Sequence, residues 1–183
     1  MPENDLNSSG SNRGLVMVIT GDGKGKTTSA FGQALRALGQ GYRICIIQFM
    51  KNEAYGEIQA IKRLLPENCL FQFGRDGFII GDDLASADIE LARQGLQKAR
   101  EIVESREFDM VILDEINIIV HLNLAAEEDV LELIKNKKPE LDLVLTGRYA
   151  TENIMQAADM VSVIIEVKHH YNAGIKSRAG IEY

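Results

Sequence analysis

The segment that most limits what this chain can become lies near its start. An apolar, β-rich run, LVMVIT at 15–20, passes directly into the glycine loop TGDGKGKTT at 20–28, after which Phe31, Ala34, Leu35 and Leu38 recur at helical spacing. Strand, glycine loop and helix in that order predict an α/β unit. A phosphate-binding loop has the form GxxxxGKS or GxxxxGKT; here Gly25, Lys26 and Thr27 supply its end, while Thr20 stands where the first glycine is expected. Backbone N–H groups at Gly21, Gly23 and Gly25 are expected to converge on phosphate oxygens at the positive end of the helix. Lys26 adds a point charge, and Thr27 a hydroxyl for Mg²⁺. The bland alternative is a glycine-rich turn with incidental lysines, which the flanking strand and helix disfavour.

The alternation continues along the chain. The pattern predicts strands over 42–49, 69–73, 110–113, 141–145 and 160–167, with helices over 57–65, 127–135 and 151–157. A loop containing Gly74, Gly77 and Gly81 precedes the longest predicted helix. Ser86 caps that helix, Asp88 and Glu90 fall in its first turns, and Lys98 and Arg100 come late, as the macrodipole favours. Ile89, Ala92, Leu96, Ala99 and Val103 are expected to make its buried face. Strands alternating with helices imply a parallel sheet covered on both sides, hence one three-layer α/β domain over 14–183. Residues 1–13 are polar without apolar periodicity and read as a disordered lead-in.

Composition narrows the function. The 183 residues are 45% hydrophobic and 26% charged, which is ordinary globular usage. There is no apolar stretch of membrane-spanning length and no basic region followed by an apolar run, so the expected compartment is the cytoplasm, with no membrane partner. A net charge of −7 argues against nucleic acid, which needs a basic face. Cys45 and Cys69 lack the paired spacing of a zinc site and read as reduced packing residues.

A second chemical signal is VILDEIN at 111–117, an apolar run closing on Asp114 and Glu115. At the carboxyl end of a parallel strand near a phosphate loop, such acids reach the metal that neutralises a nucleotide; a solvated strand end is the alternative. LTGR at 145–148 places Arg148 just after a strand, and Lys168, Lys176 and Arg178 concentrate positive charge in the tail. His169 and His170 adjoin each other with no third ligand at metal spacing. Kinases, ATPases and ligases all share the loop and the acids, so these two alone do not fix the reaction.

Taken together, TGDGKGKTTSAFG, VILDEIN, LTGR and the closing VKHHYNAGIKSRAGIEY resemble the ATP:corrinoid adenosyltransferases of bacterial cobalamin biosynthesis, over nearly everything from Leu15 to Tyr183. The resemblance implies a P-loop NTPase-like domain of recombinase type, with a mostly parallel six-stranded sheet, and a homodimer. It implies transfer of the 5′-deoxyadenosyl group of ATP to cobalt(I) of a reduced corrinoid, with triphosphate released. By the same resemblance, Gly21, Asp22, Gly23, Lys24, Gly25, Lys26, Thr27 and Thr28 bind ATP, joined by Arg36, Arg148, Lys168 and His169. Thr27, Asp114 and Glu115 would hold Mg²⁺, and Lys26, Thr27 and Glu115 would be catalytic. Family members carry a GFTW-like segment whose aromatic side chains displace the lower axial ligand of the corrinoid; here GFII at 77–80 keeps Phe78 and puts Ile80 in the aromatic's place. With no flavin motif and no cysteine pair, electrons are expected from outside, from a reduced flavoprotein or free reduced flavin. The rival readings are a P-loop kinase or ATPase that moves the γ phosphate, and a nucleotide- or corrinoid-binding module without catalysis.

Overall fold

The computed structural model describes residues 13–52, 56–66, 69–75 and 86–182. Six strands, β1 (Val16–Thr20), β2 (Ile44–Phe49), β3 (Leu70–Phe73), β4 (Met110–Asp114), β5 (Asp142–Thr146) and β6 (Met160–Val163), form one sheet in the order β3-β2-β4-β5-β1-β6. Every pairing is parallel. The helices are α1 (Lys26–Leu38), α2 (Gly56–Ile61), α3 (Ser86–Glu104), α4 (Ile116–His121), α5 (Glu127–Asn136) and α6 (Glu152–Ala157). The expected α/β fold with a six-stranded parallel sheet is what the chain adopts.

Strand periodicity divides the core into two. Met17, Ile44, Ile46, Met110, Ile112 and Val144 point to one face, where they pack against Ala30, Phe31, Ala34 and Ala37 of α1 and Ile58 and Ile61 of α2. Their neighbours Val16, Cys45, Ile47, Val111, Leu113 and Leu145 point the other way, onto α3, α4 and α5. Fully buried parallel strands of this kind need apolar residues at successive positions, which is why these segments read as unbroken apolar runs.

Five details differ from expectation. The run after β4 bends at once into α4, a short helix whose apolar sequence, INIIVH, looks like strand continuation. In α3, Ile89 is 54% exposed while Asp88 is buried, because Asp88 is paired with Arg75 at 2.6 Å. The last strand stops at Val163 rather than at 167, and α2 stops at Ile61. Of the polar lead-in only Arg13 is among the described residues, and it pairs with Asp159 at 2.7 Å.

Candidate functional site

The glycine loop turns between β1 and α1 through positive φ at Gly21 (98°) and Gly25 (125°), conformations that side chains disfavour. Close packing is a second reason for glycine here. A Cβ on Gly21 would lie 2.4 Å from the carbonyl oxygen of Ile164, and one on Gly23 would lie 2.8 Å from the Ile164 side chain. The Gly23 N–H donates to that same Ile164 carbonyl at 2.8 Å, so this amide is engaged by the segment after β6 and not free for phosphate as the spacing suggested. Lys26 is folded back, donating to the carbonyls of Gly21 and Gly23 at 2.8 Å each. Burial, reinforced by the nearby Arg148, pulls the Lys26 ammonium below the usual lysine range.

The acids sit where period-two geometry puts them. Gln48, Asp114 and Thr146 lie at or next to the carboxyl ends of three adjacent strands and continue the rows that face α1. Asp114 Oδ1 accepts from Thr146 Oγ1 at 2.6 Å and Thr27 Oγ1 at 2.9 Å, and Oδ2 accepts from Gln48 Nε2 and Lys51 Nζ, both at 2.9 Å. The carboxylate is fully buried and has four donors. Strand β4 is not beside β1, because β5 lies between them. Thr27 nevertheless meets Asp114, because α1 crosses over β5 and β4 on its way to β2 and its first turn overlies their carboxyl ends.

Glu115 follows in the left-handed conformation (φ 64°), held by its N–H donating to Thr146 Oγ1 at 3.0 Å, and it begins α4. That backbone is uncommon for a residue with a side chain and turns the second acid toward the loop instead of into the sheet. Its carboxylate lies 3.6 Å from Lys51. The two neighbouring acids are pushed apart. Burial raises the Glu115 carboxyl, with the Asp114 charge adding to it. Burial alone would also raise Asp114, but Lys51 and the donors from Thr146 and Gln48 outweigh it and hold Asp114 below the ordinary range. Burial works against the Lys51 charge too, yet Asp114 and Glu115 prevail and its pKa is raised.

Lys51 is, with Gln48, a site residue that sequence reasoning missed. Its one sequence signal is a lysine two positions past a buried strand on the carboxyl edge of a parallel sheet, where ligands of such folds gather.

A cleft of about 1590 Å³ opens over this centre. Its floor is the loop from Lys24 to Thr28 with Lys51, Glu115 and Arg148; Phe31, Leu35, Ala60 and Leu64 give it an apolar wall; and residues 179–182 of the tail border it. The tail is tied to the loop by Lys24 Nζ, which donates to the Ile181 carbonyl at 2.7 Å. Arg148 lies 4.0 Å from Asp22 across the loop. Other expected site residues lie elsewhere. Arg36 is exposed, and neither it nor Lys168 nor His169 lines the cleft; His169 Nδ1 accepts from the Tyr171 N–H at 3.2 Å and its ring stacks on His170. Phe78 and Ile80 lie outside the described residues. Among the described residues no group of three or more His, Cys, Asp or Glu converges as a metal cluster, and the donor set here is two carboxylates and a hydroxyl.

Fold and site define a P-loop-like α/β protein. The family model of the ATP:corrinoid adenosyltransferases BtuR/CobO/CobP matches residues 12–183, and the chain belongs to that family. The corrinoid adenosyltransferase of Escherichia coli (strain K12) is 34% identical over 172 residues, 93% of this chain and 86% of its own. That of Sinorhizobium sp is 34% identical over 173 residues, covering 93% and 81%. The corrinoid adenosyltransferase CobA of Salmonella typhimurium is 34% identical over 172 residues, covering 93% and 86%. The protein is therefore a transferase of the corrinoid-adenosylating class. Among the described residues no helix is long and apolar enough to cross a membrane.

Proposed function

We propose that this chain, a single catalytic domain over 14–183, moves the 5′-deoxyadenosyl group of ATP onto the cobalt(I) of a reduced corrinoid and releases triphosphate intact. The observation that carries this is the shape of the cleft. At about 1590 Å³ it exceeds the roughly 300–1,000 Å³ typical of a site for one small ligand, and it joins a cationic floor to an apolar wall. A polyanion suits the floor, and a broad macrocycle suits the wall.

The electron pair of cobalt(I) forms a bond to carbon 5′ of the ribose, the carbon–oxygen bond breaks, and that pair leaves on the α phosphate, so no proton is transferred. Charge therefore grows on the departing triphosphate. Lys26, turning from the loop carbonyls it now holds, meets that charge, and Arg148 across the loop adds to the field. Thr27, Asp114 and Glu115 are the residues that would hold Mg²⁺, which supplies further neutralisation of the phosphates. The donor chemistry fits, because a lysine ammonium already lies within 3.6 Å of all three groups.

Arg36, Lys168 and His169 are assigned to the nucleotide by resemblance, and Phe78 with Ile80 to the corrinoid. Cys45 and Cys69 are both buried, so electrons for cobalt reduction are assigned to an external reduced flavoprotein or flavin. The homodimer reading draws support from β6, an edge strand exposed along its whole length, followed by the exposed Ile165 and Val167. Sedimentation equilibrium checks it.

The test is to incubate protein, MgATP and chemically reduced cobalamin. A light-sensitive alkylcobalt product and an equal amount of triphosphate are expected. ADP with phosphate would establish a kinase or ATPase instead, and bound substrates without product a binding module. Phe78→Ala should slow reactions that start from cobalt(II) far more than those that start from cobalt(I).

A further inference from the structure

Lys51 occupies the place that its neighbours, on the reading above, would give to a metal ion. Its ammonium is 2.9 Å from Asp114 Oδ2, 3.2 Å from Thr27 Oγ1 and 3.6 Å from Glu115 Oε1. These are the same three groups assigned to Mg²⁺. Two cations sharing one set of oxygens around the buried Asp114 repel strongly, so the lysine and the metal cannot both sit there.

The position of Lys51 is built into the backbone. Met50 before it takes a left-handed turn (φ 60°) and its N–H donates to the Phe73 carbonyl at 2.9 Å. Gly74 then lies against the Lys51 backbone so closely that a Cβ there would be 2.2 Å from the Lys51 backbone nitrogen. The ends of β2 and β3 thus aim this side chain at the acids, while its location on the cleft floor leaves it a second direction to turn.

We propose that Lys51 is a tethered cation that fills the metal seat until nucleotide arrives, and that it then swings from the carboxylates to the incoming phosphates. Divalent metal therefore enters only together with nucleotide. This rests on the assignment of Thr27, Asp114 and Glu115 to the metal.

Manganese binding followed by electron paramagnetic resonance tests it without any turnover. The wild-type chain is expected to bind Mn²⁺ weakly alone and tightly with ATP. Lys51→Met, which removes the charge and keeps the bulk, should bind Mn²⁺ alone at least about tenfold more tightly, and adding Glu115→Gln should abolish the gain. Lys51→Gln, which keeps a hydrogen-bond donor for buried Asp114, serves as the second variant, with circular dichroism confirming the fold of each. Unchanged or weaker Mn²⁺ binding in the folded variants overturns the proposal. So does a wild-type melting temperature that Mn²⁺ alone raises as much as Mn²⁺ with ATP. If the wild type fails to bind Mn²⁺ even with ATP, the metal assignment itself falls; tight binding with ATP but no gain in the variants overturns the role of Lys51 alone.

Discussion

Thr27 donates its hydroxyl to Asp114 across 2.9 Å, joining the first turn of α1 to the end of a strand two places away from β1 in the sheet. That bond links the phosphate loop to the acid centre, so disturbing Asp114 should loosen both. Asp114→Asn puts an amide nitrogen where two donors now point, whichever way the amide is turned, and leaves the half-buried Lys51 without its nearest counter-charge. Breaking one side of a buried pair costs roughly 3–5 kcal/mol, and loss of that order is expected in urea unfolding. A loss under about 1 kcal/mol would mean that Lys51 finds solvent at no cost.

Lys26→Ala should leave less of a mark on the fold than on turnover. The ammonium holds two loop carbonyls at 2.8 Å, and these can turn to water when it is gone. One charge-assisted contact to the departing triphosphate is worth roughly 1.5–3 kcal/mol, or on the order of 10- to 150-fold in rate. Single-turnover adenosylation with chemically reduced cobalamin measures it, and an unchanged rate would remove Lys26 from the mechanism.

What the sequence made legible is what depends on near neighbours along the chain. The glycine loop, Asp114, Glu115 and the six apolar runs are local patterns, and the chain realises each close to where its spacing puts it. Lys51 and Gln48 depend on the register of β2 against β4, which pairs Gln48 with Asp114, and no local pattern carries that register. The engagement of the Gly23 amide depends on residue 164 returning beside the loop from the far end of the chain. In α3 the periodicity favoured Ile89 for burial over Asp88, because it does not count the Arg75 charge that makes burial of Asp88 tolerable.

Cys45 sets a pH dependence of known sign. Burial pushes its thiol up from 9.0 to about 12, so in the folded chain it keeps its proton where the unfolded chain has lost it. A raised folded pKa contributes stability in full below pH 9.0 and loses it progressively as pH rises toward about 12. Unfolding free energy should thus fall between pH 8 and 10 less steeply in Cys45→Ala than in the wild type. The native thiol should also resist a disulfide reagent at pH 8 and react on unfolding; prompt native reaction would show that it is reachable.

Gly95 sets two known effects against each other. It lies inside α3, where replacing glycine by alanine ordinarily gains about 1 kcal/mol of helix propensity. A Cβ there would lie 2.5 Å from Cε1 and 3.0 Å from Cδ1 of Phe49, and 3.1 Å from Cδ2 of Phe73. Phe49 is fully buried in β2 beneath the helix, so its ring has no solvent to move into and the helix itself must lift. Overpacking of this kind costs roughly 1–3 kcal/mol, which outweighs the propensity gain. Gly95→Ala is therefore expected to lower stability by up to about 2 kcal/mol in urea unfolding. Adding Phe49→Leu, which shortens the obstructing side chain, should recover part of that loss. A stabilised single variant would show that α3 packs less closely on β2 than the present contact requires.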